Sequence, residues 1–185
     1  MKRITILLAE DHEIVREGLR KLLEAEDDLE VVGEEQTGRQ AVELVKKLRP
    51  AVVVMDIAMP LLNGLEATRQ ILNILHDTKV LMLSAHSDDA YVEQATESGA
   101  VGFLLKQTSA HEVCRAIREV SQGKTFFSPV VSKRRERLSQ LTPDRTGRLH
   151  QKAAQLTSRE MEVLQLVAEG KANKETASEL GIGLK

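Results

Sequence analysis

The chain has 185 residues with 26 basic and 28 acidic side chains, so its formal net charge is only −2. Aromatic residues make up 2% of the chain, which disfavours a nucleic-acid binder that stacks bases on aromatic side chains. The single cysteine excludes a disulfide framework and a cysteine-based zinc site, and no apolar run is long enough for a membrane span. We therefore expect a cytoplasmic protein of one or two small domains.

Short aliphatic runs alternate with amphipathic segments over the first 122 residues. The runs predict strands at residues 4–9, 31–34, 51–56, 79–84 and 101–105. The segments between and after them predict helices at residues 13–25, 39–48, 64–75, 89–98 and 110–122. In the first helix, Ile14, Leu19, Leu22 and Leu23 are predicted to share one apolar face. Five β-α units in strict alternation predict an α/β fold with a doubly wound parallel sheet.

The pattern changes after Gly123, and the charge changes with it. Residues 1–127 carry a net charge of −6, residues 128–152 carry +5 and residues 153–185 carry −1. Near the C-terminus, Thr157 and Glu160 have the spacing of a helix capping box, and a second short helix is predicted to end at Gly181. We therefore predict one domain over residues 1–122, a basic and partly helical linker over 123–152, and a small helical domain over 153–185.

Polar residues stand at the carboxyl ends of four predicted strands. In the strand order 2-1-3-4-5, the first and third strands are neighbours at the switch point, where open parallel sheets bind their ligands. These strand-end residues are Glu10, Asp11, Asp56, Ser84 and Lys106. Any one of them alone is better explained as a cap, a turn residue or a solvated side chain. Four such strand ends in an otherwise aliphatic sheet favour a functional site.

Three carboxylates in one crevice repel each other and favour a hard cation, so the cluster predicts a Mg²⁺ site that would also admit a phosphate. Asp56 can then act as the nucleophile that accepts a phosphoryl group as an acyl phosphate. Mg²⁺ and Lys106 would neutralise the transferring oxygens, and Ser84 could donate a hydrogen bond to the product.

These motifs resemble the receiver domain of bacterial response regulators over about two thirds of the chain. The matching segments are residues 7–12, 54–64, 84–85 and 102–106. Residues 156–182 resemble the start of a LuxR-type helix-turn-helix, so the whole chain is similar to the NarL/FixJ class of transcription regulators. The resemblance implies a flavodoxin-like receiver, a sensor histidine kinase as phosphoryl donor, dimerisation on phosphorylation, and DNA as the partner of the full-length protein.

The resemblance also implies individual roles. Asp56 would be the phosphoacceptor, and Glu10, Asp11, Asp56 and the backbone carbonyl of Ala58 would hold Mg²⁺. Ser84 and Lys106 would bind the phosphoryl group. Phe103 would be an aromatic switch that turns inward when Ser84 moves, although a simple core aromatic fits the sequence nearly as well.

Two other functions compete with this interpretation. One is a signalling module that acts through protein contacts without DNA. The other is a metal-dependent phosphohydrolase with an aspartyl nucleophile, which usually has a second aspartate where this chain has Ala58.

The base-reading helix of the resembled family begins just after residues 181–185, so we expect residues 1–185 not to read a DNA sequence. The C-terminal helices are then expected to be mobile, packed on the receiver or engaged with another chain.

Overall fold

The computed structural model describes residues 3–86, 88–127 and 156–183. The basic segment 128–152, the proposed start of the last domain at 153–155 and residues 184–185 lie outside the described residues. The strands are β1 (Ile4–Ala9), β2 (Leu29–Glu35), β3 (Val52–Asp56), β4 (Lys79–Ser84), β5 (Gly102–Leu105) and β6 (Phe126–Phe127). The helices are α1 (Glu13–Glu24), α2 (Gly38–Leu48), α3 (Gly64–Ile74), α4 (Asp89–Glu97), α5 (Ala110–Ser121), α6 (Ser158–Ala168) and α7 (Asn173–Leu180).

The sheet is parallel, with strand order β2-β1-β3-β4-β5-β6. The first five strands have the predicted order, but the predicted total of five strands is wrong. A sixth strand extends the sheet because Phe126 and Phe127 pair with Gly102 and Phe103, and Phe126 N–H donates to the Val101 carbonyl at 3.0 Å. The sheet therefore continues past the predicted boundary at residue 122.

Alternate residues of each central strand enter two separate cores. Leu7, Val53 and Met55 pack on one face with helices α2, α3 and α4, while Leu8 and Val54 pack on the other. Both faces are covered by helices, which explains why the strands are continuously apolar rather than alternating. This arrangement leaves the carboxyl ends of the strands as the place for polar side chains.

Helix α1 buries most of the predicted face, because Leu23 lies in the core and Leu19 and Leu22 pack against it, but the prediction is wrong for Ile14. Ile14 is 87% exposed, whereas Arg16 is 8% exposed and Leu23 is fully buried. At about 100° per residue, Ile14 and Leu23 lie on opposite sides of the helix, so the two cannot both face the core. Arg16 and Leu23 are seven residues apart and share the buried side.

Side-chain caps begin several of the helices. Thr37 and Asn63 accept hydrogen bonds from Gln40 N–H at 3.2 Å and Glu66 N–H at 2.9 Å. Thr157 and Glu160 form the capping box that their spacing predicted. In the described part of the chain, no helix combines the length and apolar character needed to cross a membrane.

Arg118 on α5 links that helix to the turn before β2. Its guanidinium donates to both carboxylate oxygens of Asp28, at 2.8 and 2.7 Å, and to Glu26 at 2.5 Å. The hydrogen bonds from Arg118 lower the pKa of Asp28 below its ordinary value. These side chains are about one third or more exposed, so solvent screens the interaction.

We expect Arg118→Ala to lower the free energy of unfolding by about 0.5–1 kcal/mol at neutral pH. Because the folded pKa of Asp28 is depressed, this contribution is complete above its ordinary pKa of about 3.9 and is lost as the pH falls through the folded value. Urea titrations at pH 7 and pH 3 measure the difference. Lys21→Ala, which removes an exposed pair with Glu17, is the control and should change stability less. An Arg118→Ala loss that is equal at both pH values would contradict the assignment to Asp28.

Candidate functional site

Glu10 lies just past the end of β1, where the chain leaves the sheet. Its N–H continues the ladder by donating to the Glu35 carbonyl at 3.0 Å, and its side chain is almost completely buried. The carboxylate accepts from His12 N–H at 3.1 Å and from Lys106 Nζ at 2.8 Å. Asp11 is half-buried beside it, and its Oδ1 lies 2.9 Å from His12 Nδ1. The end of β1 thus presents two adjacent carboxylates.

Asp56 ends β3 and is only 2% exposed. Lys106 Nζ lies 3.0 Å from Asp56 Oδ2 and 2.8 Å from Glu10 Oε2, so one ammonium group bridges both acids. Lys106 follows β5 directly, and its N–H donates to the Ser84 carbonyl at 2.8 Å. The sheet therefore brings together the residues that the sequence predicted at these strand ends.

The charges of this cluster are strongly coupled. Burial and the nearby Glu10 carboxylate raise the pKa of Asp56 above its ordinary value, although Lys106 acts in the opposite direction. Burial disfavours the charge on Lys106, but its bonds to Glu10 and Asp56 more than offset that cost and raise its pKa. Hydrogen bonding to Glu10 and the nearby Asp11 charge raise the pKa of His12. The positive charge of Lys106 therefore does not fully offset burial and the repulsion between the acids.

The acidic cluster fits a hard divalent cation. Single ligand atoms of Glu10, Asp11, His12 and Asp56 lie within 4.8 Å of one another. Within the described part of the chain, one oxygen of each carboxylate is buried without a well-aligned hydrogen bond, although a nitrogen of Lys106 or His12 lies within 3.0 Å of each. Carboxylate oxygens in this state are available to a cation that prefers oxygen ligands.

Ala58 is exposed in the loop that follows Asp56, and the role of its carbonyl stays a prediction. Gly64 closes this loop, because its N–H donates to the Ile57 carbonyl at 2.9 Å. A Cβ at Gly64 would lie 2.0 Å from the Asp56 carbonyl oxygen, so the backbone approaches too closely for any other residue. We refer to residues 57–63 as the β3-α3 loop.

Ser84 ends β4 and Phe103 lies within β5, and the contacts of their side chains do not show a switch. The Ser84 hydroxyl donates to the His86 carbonyl and accepts from His86 N–H, both at 3.0 Å, so it is bonded within its own loop. The Phe103 ring is fully buried in the core. Coupled movement of Ser84 and Phe103 stays a prediction.

Helix α6, the first helix of the C-terminal domain, packs on the β3-α3 loop, which is one of the three alternatives that the sequence left open. Gln165 Oε1 accepts from Asn63 N–H at 2.7 Å and from Asn63 Nδ2 at 3.2 Å. Gln165 Nε2 donates to the Met59 carbonyl at 2.9 Å, and Leu61 N–H donates to Glu169 Oε1 at 2.9 Å. We call these contacts the loop clasp, since they hold the segment that directly follows Asp56.

A second set of contacts joins α6 to helices α2 and α3. Glu162 is 7% exposed and accepts from Gln70 Nε2 at 2.8 Å and Arg159 Nη1 at 2.9 Å. Arg39 Nη2 lies 3.5 Å from Glu162 Oε2. Arg159 also donates to the Leu180 carbonyl, which connects α6 with α7. The buried carboxylate is therefore satisfied from both domains.

Sequence reasoning missed His12 beside the acids and the residues of α6 that contact the receiver. His12 follows Asp11 directly, so its position beside the acids could have been inferred from adjacency alone. Gln165 and Glu162 carry no such signal, because a polar residue on a short amphipathic helix is usually solvent-exposed. Only the packing of the two domains gives them partners.

A parallel α/β sheet with an acidic cluster and a lysine at its carboxyl edge, followed by a small helical domain, defines a receiver-type signalling protein. Residues 6–118 match the family model described as the response regulator receiver domain. Residues 154–185 match the model of bacterial regulatory proteins of the luxR family. The two matched segments coincide with the two folded parts described above.

The transcriptional regulatory protein LiaR of Bacillus subtilis (strain 168) is 42% identical over 182 residues, which cover 98% of this chain and 84% of LiaR. A two-component response regulator of the LuxR family from Aurantimonas sp. SI85-9A1 is 33% identical, with a TM-score of 0.70 over 74% of this chain and 99% of that one. A structure of two RcsB dimers bound to two parallel DNAs is 26% identical, with a TM-score of 0.66 over 98% of this chain and 85% of that one.

The chain belongs to the response regulators of two-component systems, with a receiver domain and a LuxR-type DNA-binding domain. Its relatives are regulators of transcription, which favours DNA control over a module that acts through protein contacts alone. LiaR and DegU are transcriptional regulatory proteins, and the second aspartate usual in the phosphohydrolases is alanine at position 58 here.

Proposed function

We propose that Asp56 accepts the phosphoryl group that switches this regulator. The observation that carries the proposal is the buried Asp56 carboxylate, held 3.0 Å from Lys106 Nζ and beside two further acids. The carboxylate oxygen attacks phosphorus, the bond from phosphorus to the donor breaks, and the donor leaves with the electron pair. The donor in the cell would be a phosphohistidine of a sensor kinase.

We propose Mg²⁺ as the cation, held by Glu10, Asp11, Asp56 and the Ala58 carbonyl; when bound, it would supply positive charge to the transferring oxygens. Lys106 binds the phosphoryl oxygens from the other side, and its raised pKa keeps it charged for this role. Ser84 donates its hydroxyl to the product once it leaves its bond with the His86 carbonyl. His12 covers the outer edge of the acids.

The test is incorporation of one phosphoryl group from acetyl phosphate, followed by intact-mass spectrometry. We expect incorporation with Mg²⁺ and none with a chelator, and Asp11→Ala should need far more Mg²⁺ than the unchanged chain. Incorporation that is equally fast with the chelator would contradict the proposed role of the acids.

We also propose that phosphoryl capture and the loop clasp oppose each other, because both act on the β3-α3 loop. A ligand shifts a conformational equilibrium only through different affinities for the two states. Residues 57–63 join Asp56 to the contacts with Gln165 and Glu169. Phosphorylation would thus favour release of α6 and, in the full-length protein, dimerisation on DNA.

Gln165→Ala should weaken the clasp, because it removes three hydrogen bonds to Met59 and Asn63. At about 1 kcal/mol each for the two shorter bonds, we expect amide hydrogen exchange in residues 57–63 and 158–168 to accelerate by roughly tenfold or more. The control is Gln94→Ala, which alters an exposed glutamine on α4. Unchanged exchange in the Gln165→Ala chain would show that the clasp does not hold the domains together.

For residues 1–185 we propose no sequence-specific reading of DNA, since specificity requires side chains that reach base edges. The described C-terminal residues supply α6 and α7, and α6 is occupied by the receiver. In gel-shift titrations, any affinity should be weak and fall steeply with salt. A preference above about tenfold for a promoter over a scrambled duplex would contradict this expectation.

A further inference from the structure

Arg16 lies on the side of α1 that faces the acidic cluster, and its charged side chain is buried. It is 8% exposed, although an arginine on an amphipathic helix normally reaches solvent. Burial of a guanidinium is costly unless the group is paired and hydrogen-bonded. Arg16 therefore holds its place through specific contacts.

The contacts of Arg16 converge on the chain turn that carries the acids. Its Nη1 donates to the backbone carbonyl of Glu10 at 2.8 Å, and its Nε lies 3.6 Å from Glu34 Oε2 on β2. The Glu10 carbonyl belongs to the peptide that joins Glu10 to Asp11. Fixing the plane of this peptide fixes the directions in which both carboxylates leave the backbone.

The other contacts of this turn hold the N–H and the carboxylate of Glu10 rather than its carbonyl. In the described structure, the α1 N-cap residue His12 makes no side-chain capping bond, and His12 N–H instead donates to the Glu10 carboxylate. The first helical bond of α1 runs from Arg16 N–H to the His12 carbonyl at 3.0 Å. Arg16 thus closes the turn with both its backbone and its side chain.

Arg16 differs from Lys106 in what it leaves available. Lys106 binds the carboxylate oxygens of Glu10 and Asp56 directly and so competes with a cation for them. Arg16 contacts the main-chain carbonyl and adds positive charge behind the acids while their oxygens stay free. This is the arrangement by which outer residues orient the ligands of a metal.

We infer that Arg16 is a positioning residue for the divalent cation, acting through the Glu10–Asp11 peptide; this rests on the proposed metal site. Loss of an outer-shell partner typically weakens metal binding by about 10–100-fold. Arg16→Gln should therefore raise the Kd for Mg²⁺ by at least about tenfold. Arg16→Lys keeps the positive charge but loses the several N–H donors of the guanidinium. Its Kd for Mg²⁺ should lie between that of the unchanged chain and that of Arg16→Gln.

The matched control is Arg20→Gln. Arg20 lies one helical turn further along α1 and pairs with the same Glu34, its Nε 3.4 Å from Oε1. Isothermal titration calorimetry with Mg²⁺ gives the Kd of each chain, and circular dichroism confirms that each is folded. We expect the Kd of Arg20→Gln to equal that of the unchanged chain.

Equal Kd values for Arg16→Gln, Arg20→Gln and the unchanged chain would overturn the inference and leave the metal site intact. An unchanged chain that binds no Mg²⁺ would overturn the proposed metal site itself. If Arg16→Gln does not fold, Arg16→Lys is compared with Arg20→Lys instead of comparing the two glutamine variants. A Kd for Arg16→Lys within twofold of that for Arg20→Lys would then overturn the inference.

Discussion

The Asp56→Asn chain should incorporate no phosphoryl group from acetyl phosphate under conditions that fully modify the unchanged chain. An amide nitrogen or oxygen cannot form the acyl phosphate, and the neighbouring acids serve other roles: Glu10 binds Lys106, and Asp11 lies at the edge of the cluster. Intact-mass spectrometry measures the modification. Asp77→Asn, at an exposed aspartate after α3, is the control and should be modified normally.

The same substitution should raise the free energy of unfolding at neutral pH when no divalent cation is present. Burial and Glu10 raise the pKa of Asp56, so its charged form is held at a cost in the folded chain. Because the folded pKa exceeds the unfolded one, this cost grows as the pH rises through that range and falls towards zero below about pH 4, as both states become protonated. Lys106 keeps Glu10 as a partner in the variant.

Urea titrations at pH 7 and pH 4 test this second effect. Asp56→Asn should unfold at a higher midpoint than the unchanged chain at pH 7, with the two converging at pH 4. Added Mg²⁺ should stabilise the unchanged chain and close the gap, because a ligand that binds only the folded state stabilises it. A variant less stable than the unchanged chain at pH 7 would show that Asp56 is held mainly by its attraction to Lys106.

Gly64→Ala should destabilise the chain by about 2–3 kcal/mol. The new Cβ would lie 2.0 Å from the Asp56 carbonyl oxygen and 3.0 Å from Met55 Cγ. The carbonyl belongs to the last residue of a central strand and cannot move without breaking the ladder with β4. The helix and the β3-α3 loop must move instead, which displaces the loop from Asp56 and should also slow phosphorylation.

Gly18→Ala provides a control of opposite sign. Gly18 lies within α1, and no atom of the described residues comes within 4 Å of its added Cβ. Alanine is favoured over glycine in a helix by about 0.5–1 kcal/mol, so this chain should be slightly more stable. Denaturation midpoints of the two variants measure both effects. A Gly64→Ala midpoint equal to that of the unchanged chain would contradict the close approach at Asp56.

The loop clasp connects the β3-α3 loop, which lies between Asp56 and Gly64, to the DNA-binding domain. Gln165 and Glu169 accept hydrogen bonds from the β3-α3 loop, and Gly64, at the end of this loop, packs closely against the Asp56 backbone. In the proposed switch, a change at Asp56 would reach α6 through the seven residues of the β3-α3 loop. In the proposed switch, phosphorylation of Asp56 and binding of α6 favour different positions of this short loop.

The sequence by itself determined where the candidate site of the receiver lies. Glu10, Asp56, Ser84 and Lys106 follow aliphatic runs, and parallel strands necessarily bring their carboxyl ends to one edge. Local signals were also sufficient for the capping box at Thr157 and for most helix and strand bounds, which differ by one or two residues. These features depend on near neighbours or on the direction of the chain, and both can be read from a single sequence.

Only the tertiary structure decided the remaining features, because each depends on what a side chain meets across space. Strand β6 has only two residues, which is too short for a pattern in the sequence to predict it. It forms because the edge of β5 offers unpaired backbone groups. Helix α1 buries Arg16 rather than Ile14 because the Glu10 carbonyl and Glu34 offer it partners on the side that faces the sheet. Gln165 gains its role from the docking of α6 on the β3-α3 loop, a contact between residues about one hundred positions apart that no local pattern encodes.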